Sequence, residues 1–211
     1  MSHRPFLAVC ASHVEGSPLA RRGALVLGTG KAAAAATMSE LIAHERPRAV
    51  LLFGVGGAFP ARHALHDHGL VPGSVCMIGS DLLADDGVMM PEGFHSMSEL
   101  DFGENGPWVM DPERTATAAH LLAVPVVQAA TVSTCSATEA LSAEIARRSV
   151  ASVESIEGAA VALVCFKHRV PFLQLRAISN FTGDRARGEW NLEGAVQRLT
   201  DAVTTLMERM P

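Results

Sequence analysis

The chain has 211 residues, of which 48% are apolar and only 18% charged, with a formal net charge of −5 at neutral pH and a mean hydropathy of +0.22. Its 17 lysines and arginines form no dense run, so there is no basic field for a phosphate backbone, and nucleic acid is excluded as an expected partner. A chain of this length hides roughly 70% of its unfolded surface; it suits one domain over residues 1–211, and its apolar balance predicts a homo-oligomer, a dimer or higher, with further surface covered by a second copy.

The opening "MSHRPFLAVC" enters a strand-like run too short for a signal-peptide core. No later stretch is apolar for long enough to span a bilayer, so a cytoplasmic protein without membrane contact is expected. Strands are predicted at "PFLAVCA" and "ALVLG", then a helix at "KAAAAATMSELIAHER" and strands at "AVLLFGVGG", "SVCMIGSDL" and "VPVVQAATVS". Helical patterns follow at "ATEALSAEIARRS" and "ESIEGAAVALVCFKH", then the strand "FLQLRAIS" and the closing helix "LEGAVQRLTDAVTTLMERM". This alternation predicts a three-layer α/β fold, with a mostly parallel central sheet flanked by helices. In the last helix Leu192, Val196, Leu199, Val203 and Leu206 recur at three- and four-residue steps, a stripe that lies on the sheet. The stretches "FPARHALHDHGLVPG" and "DDGVMMPEGFHSMSELDFGENGPWVMDPE" are rich in Gly, Pro and acids and read as irregular loops. Cys10, Cys76, Cys135 and Cys165 form no C-x-x-C pair and have no histidines at zinc-finger spacing, which predicts buried, reduced thiols.

Several motifs invite chemistry. Gly28, Gly30 and Ala33 in "LGTGKAAAA" imitate a dinucleotide fingerprint, but the following strand "AVLLFG" lacks the acid that would hold a ribose, and the spacing before Lys31 does not make a P-loop. His63, His66, Asp67 and His68 are close in sequence, yet no regular element aims three of them at one point, so no metal is expected. Gly54, Gly56 and Gly57 end the most apolar strand and predict a backbone-lined hollow at the carboxyl end of an open sheet. Glu154 reads as a cap at a helix start. Glu157 sits deeper, where an ionised group needs internal donors or the hydroxyls of a ligand. The strand "FLQLRAIS" then delivers Ser179, Asn180, Thr182, Gly183 and Asp184 to a sheet edge, so that Glu157 and Asn180 can face one cavity.

Four segments, "GTGKAAAA", "GVGGAF", "ESIEGAAVALVC" and "VPFLQLRAISN", resemble in order those of the nucleoside phosphorylase and nucleosidase superfamily, from about residue 6 to residue 207. Within it, "ADDGV", "PEGFHSM", "ESIEGAA" and "ISNFTGDRARGEW" look most like the futalosine hydrolases, which release hypoxanthine from futalosine by hydrolysis in bacterial menaquinone synthesis. The resemblance implies that Glu157 accepts hydrogen bonds from the ribose hydroxyls, that Ile156 packs on the sugar in place of a usual methionine, and that Glu15 orients the attacking water. It places Asn180 where adenine-cleaving relatives carry aspartate, so an amide would donate to N7 or O6 of a 6-oxopurine. Gly54, Gly56, Gly57, Thr134, Cys135 and Phe181 are expected to bind substrate, with the backbone from Ser133 to Cys135 beside the base and Phe94 or Trp190 over the rest. No cofactor or metal is implied. The alternatives are a phosphorylase holding phosphate with Arg62, Arg21 or Arg22, a methylthioadenosine-type nucleosidase, a catalytically silent purine-binding module, and, from another class, a nicotinamide-dependent oxidoreductase.

Overall fold

The computed structural model describes residues 6–66, 68–184 and 190–210. The chain begins with β1 (Leu7–Cys10), a single-turn α1 (His13–Gly16), a 3-10 turn, and the short β2 (Leu25–Val26). It continues through α2 (Lys31–Glu45), β3 (Val50–Ala58), β4 (Val75–Leu83), β5 (Gly87–Met90), β6 (Gly93–Ser96) and β7 (Trp108–Val109). The second half comprises α3 (Pro112–Leu122), β8 (Val126–Thr131), α4 (Glu139–Ser149), β9 (Val153–Ser155), α5 (Gly158–Lys167), β10 (Phe172–Phe181) and α6 (Leu192–Arg209). Three helices start at side chains that accept a backbone N–H: Asp111 from Arg114, Thr138 from Leu141, and Asn191 from Gly194.

The strands run β10–β4–β8–β9–β3–β1–β2, and β10 also pairs with β3. β3, β10, β4, β8 and β9 therefore close a ring from which β1 and β2 extend, where an open sheet was expected. β1–β2, β1–β3, β3–β10, β4–β8 and β8–β9 are parallel, while β4–β10, β3–β9 and β4–β7 are antiparallel. The physical reason for closure lies in the longest strands. Register shifts at Ile178/Asn180 on β10 and Ile78/Ser80 on β4 add local twist, and the side-chain-free run Gly54, Gly56 and Gly57 lets β3 curve.

α2 and α5 cover one face of the sheet, where Met38, Ile42, Val161 and Cys165 meet Val9, Leu52, Ile78 and Val153. α3 and α6 cover the other, where Ala118, Leu199, Val203 and Leu206 meet Leu51, Phe53 and Leu175. Each fully buried Leu or Val contributes about 1.5–3 kcal/mol relative to exposure, which makes the α6 stripe a packing device. The long stretch read as irregular carries the β5–β6 hairpin, β7 and the start of α3. Its signal is weak because the hairpin alternates no clear apolar face and α3 buries only Thr115, Ala118 and Ala119. Cys10, Cys76 and Cys165 are buried, and burial pushes each thiol up to about 12, whereas Cys135 is exposed rather than buried. Among the described residues no helix is long and apolar enough to cross a membrane.

Candidate active site

A cavity of about 290 Å³ opens where β3, β9 and β10 bend past the end of β1. Its floor is acidic. Glu15, 5% exposed, sits on α1 because Ser12 begins that helix with a reciprocal cap: Glu15 Oε2 accepts from Ser12 N–H at 3.0 Å and Ser12 Oγ at 2.9 Å. Its other oxygen accepts from Val55 N–H at 2.9 Å. The carboxylate is thereby locked in place, with lone pairs left for a ligand or water.

Glu157, 3% exposed, stands as the residue before α5 but does not cap that helix. Its Oε1 instead accepts Gly30 N–H at 3.0 Å, at the start of the 15-residue α2, where backbone N–H groups favour negative charge. Burial raises the pKa of Glu157 above the ordinary carboxylate range, against the opposing pull of the Arg176 guanidinium and the Gly30 N–H, while nearby Glu15 raises it further. The α5 start is fixed from below. Ala159 N–H donates to Thr131 Oγ1 at 2.8 Å, and Thr131 Oγ1 donates to buried Asp81 at 2.9 Å. Gln174 Nε2 donates to the same Asp81 carboxylate at 3.0 Å. A side chain on Gly158 would collide with Asp81 and Gln174, so only glycine lets Glu157 approach this closely.

Arg176, only 1% exposed, is the residue that reading the sequence passes over. It lies mid-strand on β10, its Nη1 donates to Val55 O at 3.3 Å, and its Nε and Nη2 are buried without a hydrogen-bond partner. Its charge acts on both Glu157 and Asp81. A Cβ on Gly54 would come within 2.6 Å of Arg176 Nη1 and 2.8 Å of Glu15 Oε1. Gly54 therefore admits the acid and the base to one spot without itself lining the cavity. A lone arginine inside the apolar strand "FLQLRAIS" was the available signal, since such a charge is costly unless it is used.

At the opposite wall Asn180 Oδ1 accepts from Ser179 Oγ at 2.8 Å and its Nδ2 donates to Phe181 O at 2.8 Å. Ser179 and Phe181 thus set the amide with its oxygen toward the serine and its nitrogen toward Phe181 O. Asn180 and Glu154 flank Gly57 across neighbouring strands, because Gly57 is in register with both. A Cβ on Gly57 would come within 2.9 Å of Thr182 Cγ2 and 3.5 Å of Asn180 Nδ2, so glycine lets these side chains close over the strand. Glu154 is not a helix cap: it lies on β9, 6% exposed, and accepts from Ser136 N–H at 2.9 Å and from Ser136 Oγ.

A family model for the phosphorylase superfamily matches residues 15–209. The chain belongs to that superfamily. A futalosine hydrolase from Thermus thermophilus is 32% identical over 210 residues, with 93% of this chain and 90% of the relative covered. A futalosine hydrolase from Acidothermus cellulolyticus is 30% identical over 203 residues, covering 92% and 80% respectively. Among solved structures, a 5'-methylthioadenosine/S-adenosylhomocysteine nucleosidase from Helicobacter pylori superposes with TM-score 0.83 at 16% identity over 100% of both chains. A futalosine hydrolase mutant from the same species superposes with TM-score 0.80 at 18% identity, covering 97% of this chain and 99% of its own. The phosphorylase-superfamily fold is thus shared throughout, and by sequence the chain is most like the futalosine hydrolases.

Of the residues singled out from the sequence, Glu15, Glu157, Asn180, Ile156, Gly56, Gly57, Cys135 and Phe181 line this cavity, and so does Trp190. Gly54 lies behind it, and Thr134 turns its N–H to Asp85 at 3.4 Å. Phe94 is elsewhere, under the Arg148 guanidinium at 3.8 Å. Asp184 borders a separate hollow with Arg62 and Glu139. Two of the cations considered for phosphate are otherwise engaged, Arg62 with Glu139 and Arg22 with Glu208. Gly30, part of the dinucleotide-like turn, gives its N–H to Glu157. Of the clustered histidines, His63 faces Ser142 and Glu139, and His66 meets His68 edge to face, while Asp67 lies outside the described residues. Among the described residues no group of three or more side chains is arranged to hold a metal.

Proposed function

We infer that the protein hydrolyses the N-glycosidic bond of a 6-oxopurine nucleoside, futalosine, releasing hypoxanthine. The observation that carries this reading is the convergence of two buried carboxylates, Glu15 and Glu157, and one oriented amide, Asn180, on a single cavity. The futalosine hydrolases to which the chain is similar support the choice of substrate.

The chemistry follows from those groups. Glu157, with one oxygen on Gly30 N–H, offers the rest of its lone pairs to the ribose hydroxyls. As the glycosidic bond stretches, the sugar gains oxocarbenium character and the base gains electron density. The carboxylate floor stabilises the first and the Asn180 amide the second. Glu15, anchored by Ser12 and Val55, accepts a proton from the water that attacks the anomeric carbon. Arg176 holds a fixed positive charge that favours the ionised form of Glu157. Hypoxanthine presents a carbonyl where adenine presents an amino group, and a donor amide matches that carbonyl. Ile156, Phe181 and Trp190 supply apolar walls for sugar and base.

The finer setting belongs to the same reading: a cytoplasmic enzyme of menaquinone synthesis, working as a homo-oligomer. Exposed Val88, Met89, Phe102, Val109 and Phe166 support a second copy as their cover. Purified protein incubated with futalosine, inosine or methylthioadenosine, with and without phosphate, is expected to release hypoxanthine from futalosine at a rate independent of phosphate. Phosphate-dependent release would make it a phosphorylase, and adenine release from methylthioadenosine alone would make it the other nucleosidase.

A further inference from the structure

Lys31 occupies an electrostatically wrong place. It is the first residue of α2, where the macrodipole repels a cation, and its ammonium is largely withdrawn from water. Burial alone would lower its pKa, but hydrogen bonds and charge from Asp85 and Asp86 outweigh that and raise it. Nζ contacts Asp85 Oδ1 at 2.6 Å and also bonds Asp86. Asp85 is committed on its far side as well: Oδ2 accepts from Ser133 N–H at 2.6 Å and from Thr134 N–H at 3.4 Å. One ion pair therefore joins the glycine turn that presents Gly30 N–H to Glu157 and the loop that supplies Cys135 and Ser136 to the base side of the cavity. That glycine turn has no side-chain stiffness of its own, since Gly28 and Gly30 both hold positive φ, at 97° and 90°.

We propose that the Lys31–Asp85 pair is a positioning device that couples the two halves of the cavity, holding Gly30 N–H on Glu157 while Asp85 fixes the base-side loop. This rests on the functional reading above for its kinetic consequence, though not for its geometry. The pair touches no reacting atom; it acts through Glu157.

The groups facing Glu157 define the test. Arg176 from β10 and Glu15 from α1 act on it by charge, and the Gly30 and Ile156 N–H groups by hydrogen bonding. Lys31→Met and Asp85→Asn remove opposite charges. If the pair works by holding Gly30, both variants weaken that hydrogen bond to the ionised carboxylate, and the pKa of Glu157 rises in both. Bare electrostatics predicts opposite shifts, upward without Lys31 and downward without Asp85. Carboxyl-carbon NMR titration of Glu157 reads this without any substrate. Shifts in the same upward direction support the proposal, and opposite or absent shifts overturn it. With futalosine, each variant is expected to lose about tenfold or more in kcat with KM changed less than about threefold. The acid limb of the pH profile should move to higher pH. The double variant should be no worse than either single one, as members of one unit behave, and Lys31→Arg should restore most of the loss. Unchanged kcat in Lys31→Met, or a loss that Lys31→Arg does not recover, would overturn the coupling. Absence of wild-type turnover on futalosine would instead count against the functional reading alone, because the titration stands without it.

Discussion

Glu157 shows how one residue's environment sets its chemistry. A carboxylate 3% exposed is tolerated because Gly30 N–H, the start of α2 and the Arg176 charge all favour its ionised form, even though burial raises its pKa overall. With the ionised form receiving the ribose hydroxyls, as proposed above, activity should fall with decreasing pH along a limb lying above the ordinary carboxylate range, checked by kcat/KM from pH 4 to 8. Glu157→Gln keeps the shape and loses the charge. Two charge-assisted hydrogen bonds of about 1.5–3 kcal/mol each imply a drop in kcat/KM of roughly a hundredfold or more with little change in Tm. Near-normal turnover would remove Glu157 from the mechanism. For Asn180→Asp the prediction is a change of preference: a carboxylate facing O6 is repelled, and a mismatch of about 1–3 kcal/mol moves selectivity toward adenine nucleosides by one to two decades. Competition between futalosine and methylthioadenosine measures it.

At the scale of elements, β10 and α5 are coupled through a buried polar set rather than through apolar packing alone. Asp81 on β4, Thr131 on β8 and Gln174 on β10 form a chain that ends at the Ala159 N–H of α5, and so fixes where Glu157 emerges. Burial raises Asp81 from 3.8 to about 6, with Gln174, Arg176 and Thr131 opposing. A raised acid favours folding in its protonated form. That stability is fully present below about pH 4 and is lost as pH rises through about 6, a cost of about 3 kcal/mol at neutral pH. Asp81→Asn should therefore flatten the dependence of the urea midpoint on pH between 4 and 7, and an unchanged slope would show that Asp81 does not carry it. The price of this charge is accepted where it secures the start of α5.

For the whole molecule, closure of five strands into a ring brings β9 against β3 in the antiparallel sense and puts Glu154 level with Gly57 and Asn180. Outside the ring, apolar side chains at Val88, Met89, Phe102, Val109 and Phe166 are exposed. Light scattering after gel filtration is expected to give a mass of at least twice 22.2 kDa, and a monomer at micromolar concentration would refute self-association.

Much of this was determined by the sequence alone. Apolar β-branched runs alternating with stripes of period 3.6 define β1, β3, β4, β8, β10, α2, α4 and α6 whatever their partners, because burial periodicity is a local property. The segment resemblance placed Glu15, Glu157 and Asn180 on one task. What only tertiary structure decided concerns long-range charge and curvature. Arg176 lies 121 positions from the carbonyl it meets at Val55, and Gly30 lies 127 from Glu157. No local pattern marks such pairs. Glu154 looked like a cap because its neighbours in sequence begin a helix, whereas its neighbours in space are the strands that a closing sheet brings to it.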